Sequence, residues 1–327
     1  MPAAHGMGAQ GHSPARGQGG FGAFHGASGP AGPGGPGGPG TPSTPAGGAS
    51  GGRRRLLLIG GGVTALLLVA GIGGVAMFSG SDAPPENTTS IYTTDFAADP
   101  EWSGSFPFES GDPRSNNLGY WSEQNAMVLL LDSHLFPFWD GVAPFERETP
   151  DHVLVSSSMV PLEGPGEAFL GVRCWDQEDE ERTMYEALLR FDGNEAQIRR
   201  VTEESGNSAL AETTEVEGFR TPDLFDEESE VEGLPYGADL GDLVANTLTF
   251  GCEYVAEEDE EPSMHLRLWI NDELVLSATD DQPLPDSTRL DDEDRRRVGT
   301  VVRPAAGNAQ ISAAFTDFAL HRVDTQG

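Results

Sequence analysis

The chain contains no lysine, so its only permanently charged cations are 19 arginines, which stand against 53 acidic residues. Residues 1–78 hold four of these arginines and no acid, which leaves fifteen arginines and 53 acids, a formal net charge of −38, in residues 79–327. Nucleic acid is bound chiefly through cationic contacts to phosphate, so a general affinity for it is excluded. The same charge argues against docking on anionic lipid and is typical of a domain kept soluble outside the cell.

Large apolar side chains are scarce in residues 1–52, which consist mostly of Gly, Pro, Ala and Ser. Such a segment cannot bury enough apolar surface to offset the conformational entropy of ordering it. We therefore predict that residues 1–52 form a disordered, Gly/Pro-rich tail.

Residues 56–78 form a long hydrophobic run, LLLIGGGVTALLLVAGIGGVAMF, with no charge among its 23 residues. At about 1.5 Å per residue it reaches roughly 34 Å, enough to cross a bilayer. Because the arginines of residues 53–55 directly precede it, we predict a transmembrane helix with a basic flank over residues 53–78. Basic flanks stay in the cytoplasm, so the tail is predicted inside and the C-terminal region outside a bacterial-type cell membrane. A cleaved signal peptide is disfavoured by the long leading region.

Residues 79–95 are predicted to form a polar linker, and the pattern of apolar and polar residues changes from residue 96 onward. Short β-rich runs there alternate with acidic turns containing Gly or Pro, and no long stretch has a helical apolar period. Asn271-Asp272 tolerate positive φ and predict a two-residue hairpin turn. The predicted strands are Ala126–Asp132, Val153–Val160, Ala168–Trp175, Met184–Phe191, Ala196–Thr202, Thr247–Tyr254, Met264–Ile270, Leu274–Ala278, Val298–Val302 and Ala309–Arg322, the last broken near Phe315.

The order of these runs resembles the concanavalin A-like jelly-roll superfamily, in its laminin-G-like or 3-keto-disaccharide hydrolase-like branch. Two motifs carry the resemblance: the hairpin Ile270-Asn271-Asp272 and the closing Phe315-Thr316-Asp317-Phe318. GVRCW, RFDGNEAQIRR and NTLTFGCEY lie between Phe96 and the hairpin, and RVGTVV lies between the hairpin and the closing motif. The resemblance implies an all-β, two-sheet antiparallel jelly-roll sandwich over residues 96–325. It implies no single activity, because the fold serves lectins, glycosidases and silent adhesion modules.

The chain has only two cysteines, Cys174 and Cys252, and each lies on the apolar face of a predicted strand. Both are external under the predicted topology, in an oxidising space where disulfides persist. We therefore expect a disulfide between them. The alternative is a pair of reduced core cysteines.

A repeated Arg-x-Trp spacing marks the opposite face of two predicted strands, with Arg173 and Trp175 on one and Arg267 and Trp269 on the other. If the strands share a sheet, the four side chains form one basic and aromatic patch. Trp offers a stacking plane and Arg a forked donor, so the patch predicts a glycan-binding site. The alternative is that an acidic loop covers both Trp side chains.

No motif in the sequence assigns a catalytic residue. The strand pattern Glu-x-Asp-x-x-Glu of jelly-roll glucanases is absent, as are Walker and Cys-x-x-Cys motifs, and Gly-x-Ser-x-Gly does not occur in residues 96–327. No cofactor is expected, apart from Ca²⁺ as an option at the acidic loops, and no metal ligand is assigned. These loops are Glu178 to Glu181, Asp226 to Glu232, Glu257 to Glu261 and Asp291 to Asp294.

The sequence thus favours a single-pass membrane protein whose external β-sandwich binds a glycan or cell-wall polymer without catalysis. Two alternatives stay open. One is a glycoside-processing enzyme of the jelly-roll type, and the other is a purely structural or partner-binding ectodomain.

Overall fold

The computed structural model describes residues 82–102, 105–107, 118–132, 134, 138–145, 147–178, 182–202, 206–222, 231–232, 239–256, 261–286, 290–291, 295–305 and 310–324. The predicted tail and the predicted membrane span lie outside these residues. None of the helical structure within them is long and apolar enough to cross a membrane.

The described chain is all-β, with 17 strands and one short 3₁₀ turn at Leu240–Asp242. In chain order the strands are β1 (Thr88–Thr94), β2 (Ser105–Pro107), β3 (Leu118–Trp121), β4 (Ala126–Asp132), β5 (Trp139–Val142), β6 (His152–Gly164), β7 (Phe169–Glu178), β8 (Arg182–Arg190), β9 (Ala196–Thr202), β10 (Gly206–Thr213), β11 (Val231–Glu232), β12 (Asn246–Val255), β13 (Ser263–Ile270), β14 (Glu273–Asp280), β15 (Arg297–Arg303), β16 (Gln310–Phe315) and β17 (Phe318–Val323).

The strands form two sheets that pack face to face. Sheet A has eleven strands, with the main order β14-β13-β12-β6-β16-β4-β3-β2, and sheet B has six, in the order β10-β9-β8-β7-β15-β5. All described strand pairs are antiparallel except β2 with β3. The predicted all-β, two-sheet antiparallel sandwich is therefore confirmed.

Strand β6 organises sheet A because it has thirteen residues and changes neighbours along its length. Its first half pairs with β12 on one side and β17 on the other, and its second half pairs with β16 and β11. Strand β1 joins the sheet through β17. The sandwich therefore includes residues 88–94, which the sequence predicted to be linker.

Alternation along each strand sends one set of side chains into a single core between the sheets. Strand β7 contributes Leu170, Val172 and Cys174, and the facing strand β12 contributes Phe250 and Cys252. The two sulfurs form a disulfide, so the predicted pairing is confirmed. Since β7 belongs to sheet B and β12 to sheet A, this bond joins the two layers.

Candidate functional site

The predicted Arg-x-Trp patch does not form, because its two strands belong to different sheets. Arg173 and Trp175 lie in β7 of sheet B, whereas Arg267 and Trp269 lie in β13 of sheet A. Both Trp side chains and Arg173 are buried, and Arg267 is half-buried. The prediction that these residues share one exposed face is therefore wrong.

Trp175 departs from strand alternation because β7 carries a bulge between Cys174 and Gln177. Its φ is +55°, and its ring joins the main core cluster next to Cys174 instead of pointing the other way. The ring lies 5.0 Å from that of Tyr254, and the Arg296 guanidinium stacks on it at 4.2 Å. A bulge of this kind re-aims one side chain, so the two-residue period fails at this position.

Arg173 points out of sheet B into a network of ions. Its guanidinium pairs with Asp140 and lies 3.1 Å from Asp176, which also contacts Arg182 at 3.3 Å and Arg297 at 3.4 Å. Burial alone would raise the pKa of Asp176, but the three guanidinium groups outweigh it and hold that pKa below its usual value. Because Asp176 is fully buried, this cluster ties β7 to its neighbours rather than presenting a binding surface.

Trp269 lies on the outer face of sheet A and is covered by the segment before β1. Its indole N–H donates to the carbonyl oxygen of Asp82 at 2.9 Å, and its ring packs with Leu154, Val323 and Leu274. The alternative drawn from the sequence expected an acidic loop over both Trp side chains, whereas the cover at Trp269 is the segment at Asp82. At Trp175 the cover is Arg296 and Tyr254.

The polarity of the outer face of sheet A changes along β6. The side chains on this face are Leu154, Ser156, Ser158, Val160 and Leu162. Leu154 belongs to the apolar cluster with Trp269, and the two distal residues belong to a second cluster that includes Leu240 of the 3₁₀ turn. Serines occupy the stretch between these two covered clusters. A polar opening therefore lies at the middle of this face.

This opening is a groove of about 680 Å³. It is lined by Thr93, Thr94, Asp95, Ser156, Ser158, Thr247, Asp317, Phe318 and Ala319. We call it the groove of sheet A. Most of its lining residues carry hydroxyl or carboxylate groups, and no arginine is among them.

Backbone and side-chain hydrogen bonds hold one wall of the groove in place. The carboxylate of Asp317 accepts the Ser158 backbone N–H at 2.7 Å, and the hydroxyls of Ser158 and Thr247 are 2.8 Å apart. The hydroxyls of Ser156 and Thr93 have no hydrogen-bond partner within the described part of the chain. They are available to a ligand as both donors and acceptors.

Metal binding has no support in the part of the chain that the structure describes, where no group of His, Cys, Asp or Glu side chains is arranged to hold an ion. Most of the four acidic loops lies outside the described residues. Ca²⁺ at these loops stays a prediction.

The sequence analysis assigned no residue of the groove, because the groove is lined by Ser, Thr and Asp side chains and the predicted site consisted of Arg and Trp. One signal was present: Ser156-Ser157-Ser158 interrupts the apolar run of β6, and a polar triplet in a central strand indicates an open face. Thr93 and Asp95 carried no such signal, since they reach the groove only through the pairing of β1 with β17.

Comparison with known proteins gives distant structural likenesses only. No protein-family model matches the chain, and no curated protein matches it. A carbohydrate-binding module from Bacillus subtilis is 14% identical with a TM-score of 0.33, and the match covers 56% of this chain and 81% of that one. A prokaryotic β-1,3-1,4-glucanase (lichenase) from a mouse hindgut metagenome is 12% identical with a TM-score of 0.39, covering 71% and 99%. A Bacillus licheniformis β-glucanase is 11% identical with a TM-score of 0.37, covering 72% and 99%.

Proposed function

We propose that the sandwich is a glycan-binding module, held outside a bacterial-type membrane by the apolar run of residues 56–78. The observation that carries this proposal is the open, hydroxyl-lined groove of sheet A. A sugar presents several hydroxyls, each a donor and an acceptor, and hydroxyl side chains on a rigid sheet match that chemistry. The groove lies on strands rather than on long loops, which favours a fixed geometry.

The ligand is a neutral glycan. The charged side chains that line the groove, Asp95 and Asp317, are both acidic. Residues 79–327 as a whole carry a formal net charge of −38. Such a surface repels an anionic polymer before contact is made. A cell-wall polymer would therefore bind through uncharged sugar rings.

Glycan-array binding by the full-length chain in detergent tests the proposal. We expect binding to neutral glycans, and we expect Ser156→Val to weaken it about fivefold, since one neutral hydrogen bond contributes about 1 kcal/mol. Ser277→Val is the matched control, because Ser277 is an exposed strand serine outside the groove. Failure to bind any neutral glycan would overturn the proposal and leave the structural or partner-binding ectodomain in its place.

A glycoside-processing enzyme is the second candidate, because Asp95 and Asp317 line the same groove. Glycosidases act through two carboxylates that flank the scissile bond. Hydrolysis of an array-positive glycan, abolished by Asp95→Asn, would favour this candidate over a non-catalytic module.

A further inference from the structure

A second cavity, which we call the end pocket, lies at the start of β6. Its volume is about 570 Å³, within the range of small-molecule sites. Loop residues 148–151, the first residue of β6, Arg296 and the end of β17 form its walls. Nothing in the proposed function has assigned it a role.

Three polar atoms in the wall of the end pocket are shielded from solvent and lack a hydrogen-bond partner among the described residues. They are Thr149 Oγ1, His152 Nδ1 and Arg296 Nε. A buried unpartnered polar group costs about 1–3 kcal/mol, so native proteins rarely keep several together without a reason. Thr149 Oγ1 can reach a ligand hydroxyl by a side-chain rotation, which is common on binding. His152 Nδ1 instead lies 3.8 Å from the Glu253 carboxylate, and the Arg296 guanidinium is held by its acidic partners.

The backbone around Arg296 is held in a conformation that most residues avoid. Arg296 has a φ of +51° and stacks on Trp175, whose φ is +55°. The rest of its guanidinium is fixed, because it pairs with Asp151 and donates to Asp286 at 2.7 Å. Such strain persists only where surrounding contacts enforce it, and it is concentrated at functional sites.

The end pocket and the groove of sheet A lie along the same pair of strands. His152 lines the pocket and Ser156 lines the groove, on one face of β6 and about 13 Å apart at the rise of a strand. Leu154 lies between them and is covered by Trp269, so a path between the two cavities runs over the neighbouring strand β17. On the neighbouring strand, Arg322 lines the pocket and Ala319 the groove. Between them lies His321, and burial lowers its pKa, so it adds no charge near neutral pH.

We infer that the end pocket takes a terminal sugar ring of the glycan whose chain lies in the groove of sheet A. This inference rests on the proposed function and adds the recognition of a chain end to it. A neutral polyol suits the pocket because each of its hydroxyls can donate to, or accept from, the Thr149 hydroxyl. The walls carry three acids, Glu148, Asp151 and Asp324, against two arginines, each of which already pairs with an acid, so the balance disfavours an anionic group.

The test is binding of cellohexaose, laminarihexaose, maltohexaose and chitohexaose to the full-length chain, with Thr149→Val as the variant. Valine keeps the shape of Thr149 and removes an unpartnered hydroxyl, so the melting temperature should not fall. We expect the dissociation constant of the bound hexaose to rise about fivefold, through the lost hydrogen bond to the ring. Thr149→Ser, which keeps the hydroxyl, should restore binding.

Thr300→Val is the matched control, since Thr300 is another fully buried threonine whose hydroxyl has no partner among the described residues. It lies in β15, away from the end pocket, and should leave the affinity within twofold of the parent. If Ser156→Val weakens binding and Thr149→Val does not, the end pocket is not part of the site and only this inference fails. If no hexaose binds the parent chain, the proposed function fails with it.

Discussion

Asp176 shows how this acidic chain uses its few cations. Three of its arginines surround one fully buried carboxylate, and Arg173 itself is fully buried. Two of the nitrogens of Arg173, Nε and Nη2, have no partner among the described residues. An ion network of this kind contributes little net stability, but removing one member leaves an uncompensated buried charge.

We predict that Asp176→Asn lowers the free energy of unfolding by about 3 kcal/mol or more at pH 7. The pKa of Asp176 is lowered in the folded state, so its contribution is present above the unfolded pKa of about 4. That contribution is lost as pH falls through the lower, folded pKa. Urea unfolding should therefore show a constant gap between parent and variant from pH 7 to about 5, which narrows below about pH 4.

Asp281→Asn is the control for this experiment, because Asp281 is exposed. It should change the free energy of unfolding by less than about 0.5 kcal/mol. If the difference in unfolding free energy between the parent and Asp176→Asn did not depend on pH, the packing of Asp176 and not its charge would stabilise the fold.

The two-residue turn at Asn271-Asp272 connects β13 to β14 with φ values of +50° and +70°. Both are positive, as a type I′ turn requires, and glycine suits the second position best. We predict that Asp272→Gly raises the free energy of unfolding by about 0.5–1 kcal/mol, because it removes the left-handed strain of an exposed side chain. Thermal unfolding checks this, with Asp272→Ala as the control that should destabilise. An unchanged melting temperature in the glycine variant would contradict it.

Elements with a strong local pattern were predictable from the sequence. The strands Ala126–Asp132 and Ala196–Thr202 match β4 and β9 residue for residue, and the hairpin and the break after Phe315 are confirmed. Strands β1 and β10 were missed, since their polar, half-exposed residues carry little apolar alternation. Their β-structure depends on pairing with β17 and β9, which no local pattern encodes.

The candidate site was the part that the sequence predicted least well. Alternation placed Arg173 correctly on the face opposite Cys174, but it could not reveal the bulge that turns Trp175 inward. Nor could it show that β7 and β13 lie in different sheets, because sheet membership is decided by contacts between distant segments. The groove depends on the same kind of long-range pairing.

At the scale of the whole molecule, the disulfide and the net charge have opposite effects on the compact state. The Cys174–Cys252 bond crosses the core between the sheets, where both residues are almost fully buried. In the chain-entropy model a closed loop of this length contributes about 4.5 kcal/mol. The formal net charge of −38 in residues 79–327 favours solubility over compactness.

The absence of lysine provides a direct test of the proposed membrane topology. Because the parent chain offers no side-chain amine, Ser43→Lys in the tail and Glu217→Lys in the sandwich each introduce a single one. Glu217 is exposed, so the second substitution should not disturb the fold. We expect a membrane-impermeant amine reagent to label Glu217→Lys on intact spheroplasts, and Ser43→Lys only after permeabilisation, since the arginine flank keeps the tail inside. The parent chain measures background labelling. Labelling of Ser43→Lys on intact spheroplasts would show that the tail lies outside and that the predicted orientation is wrong. Release of both variants into the medium would favour a cleaved signal peptide.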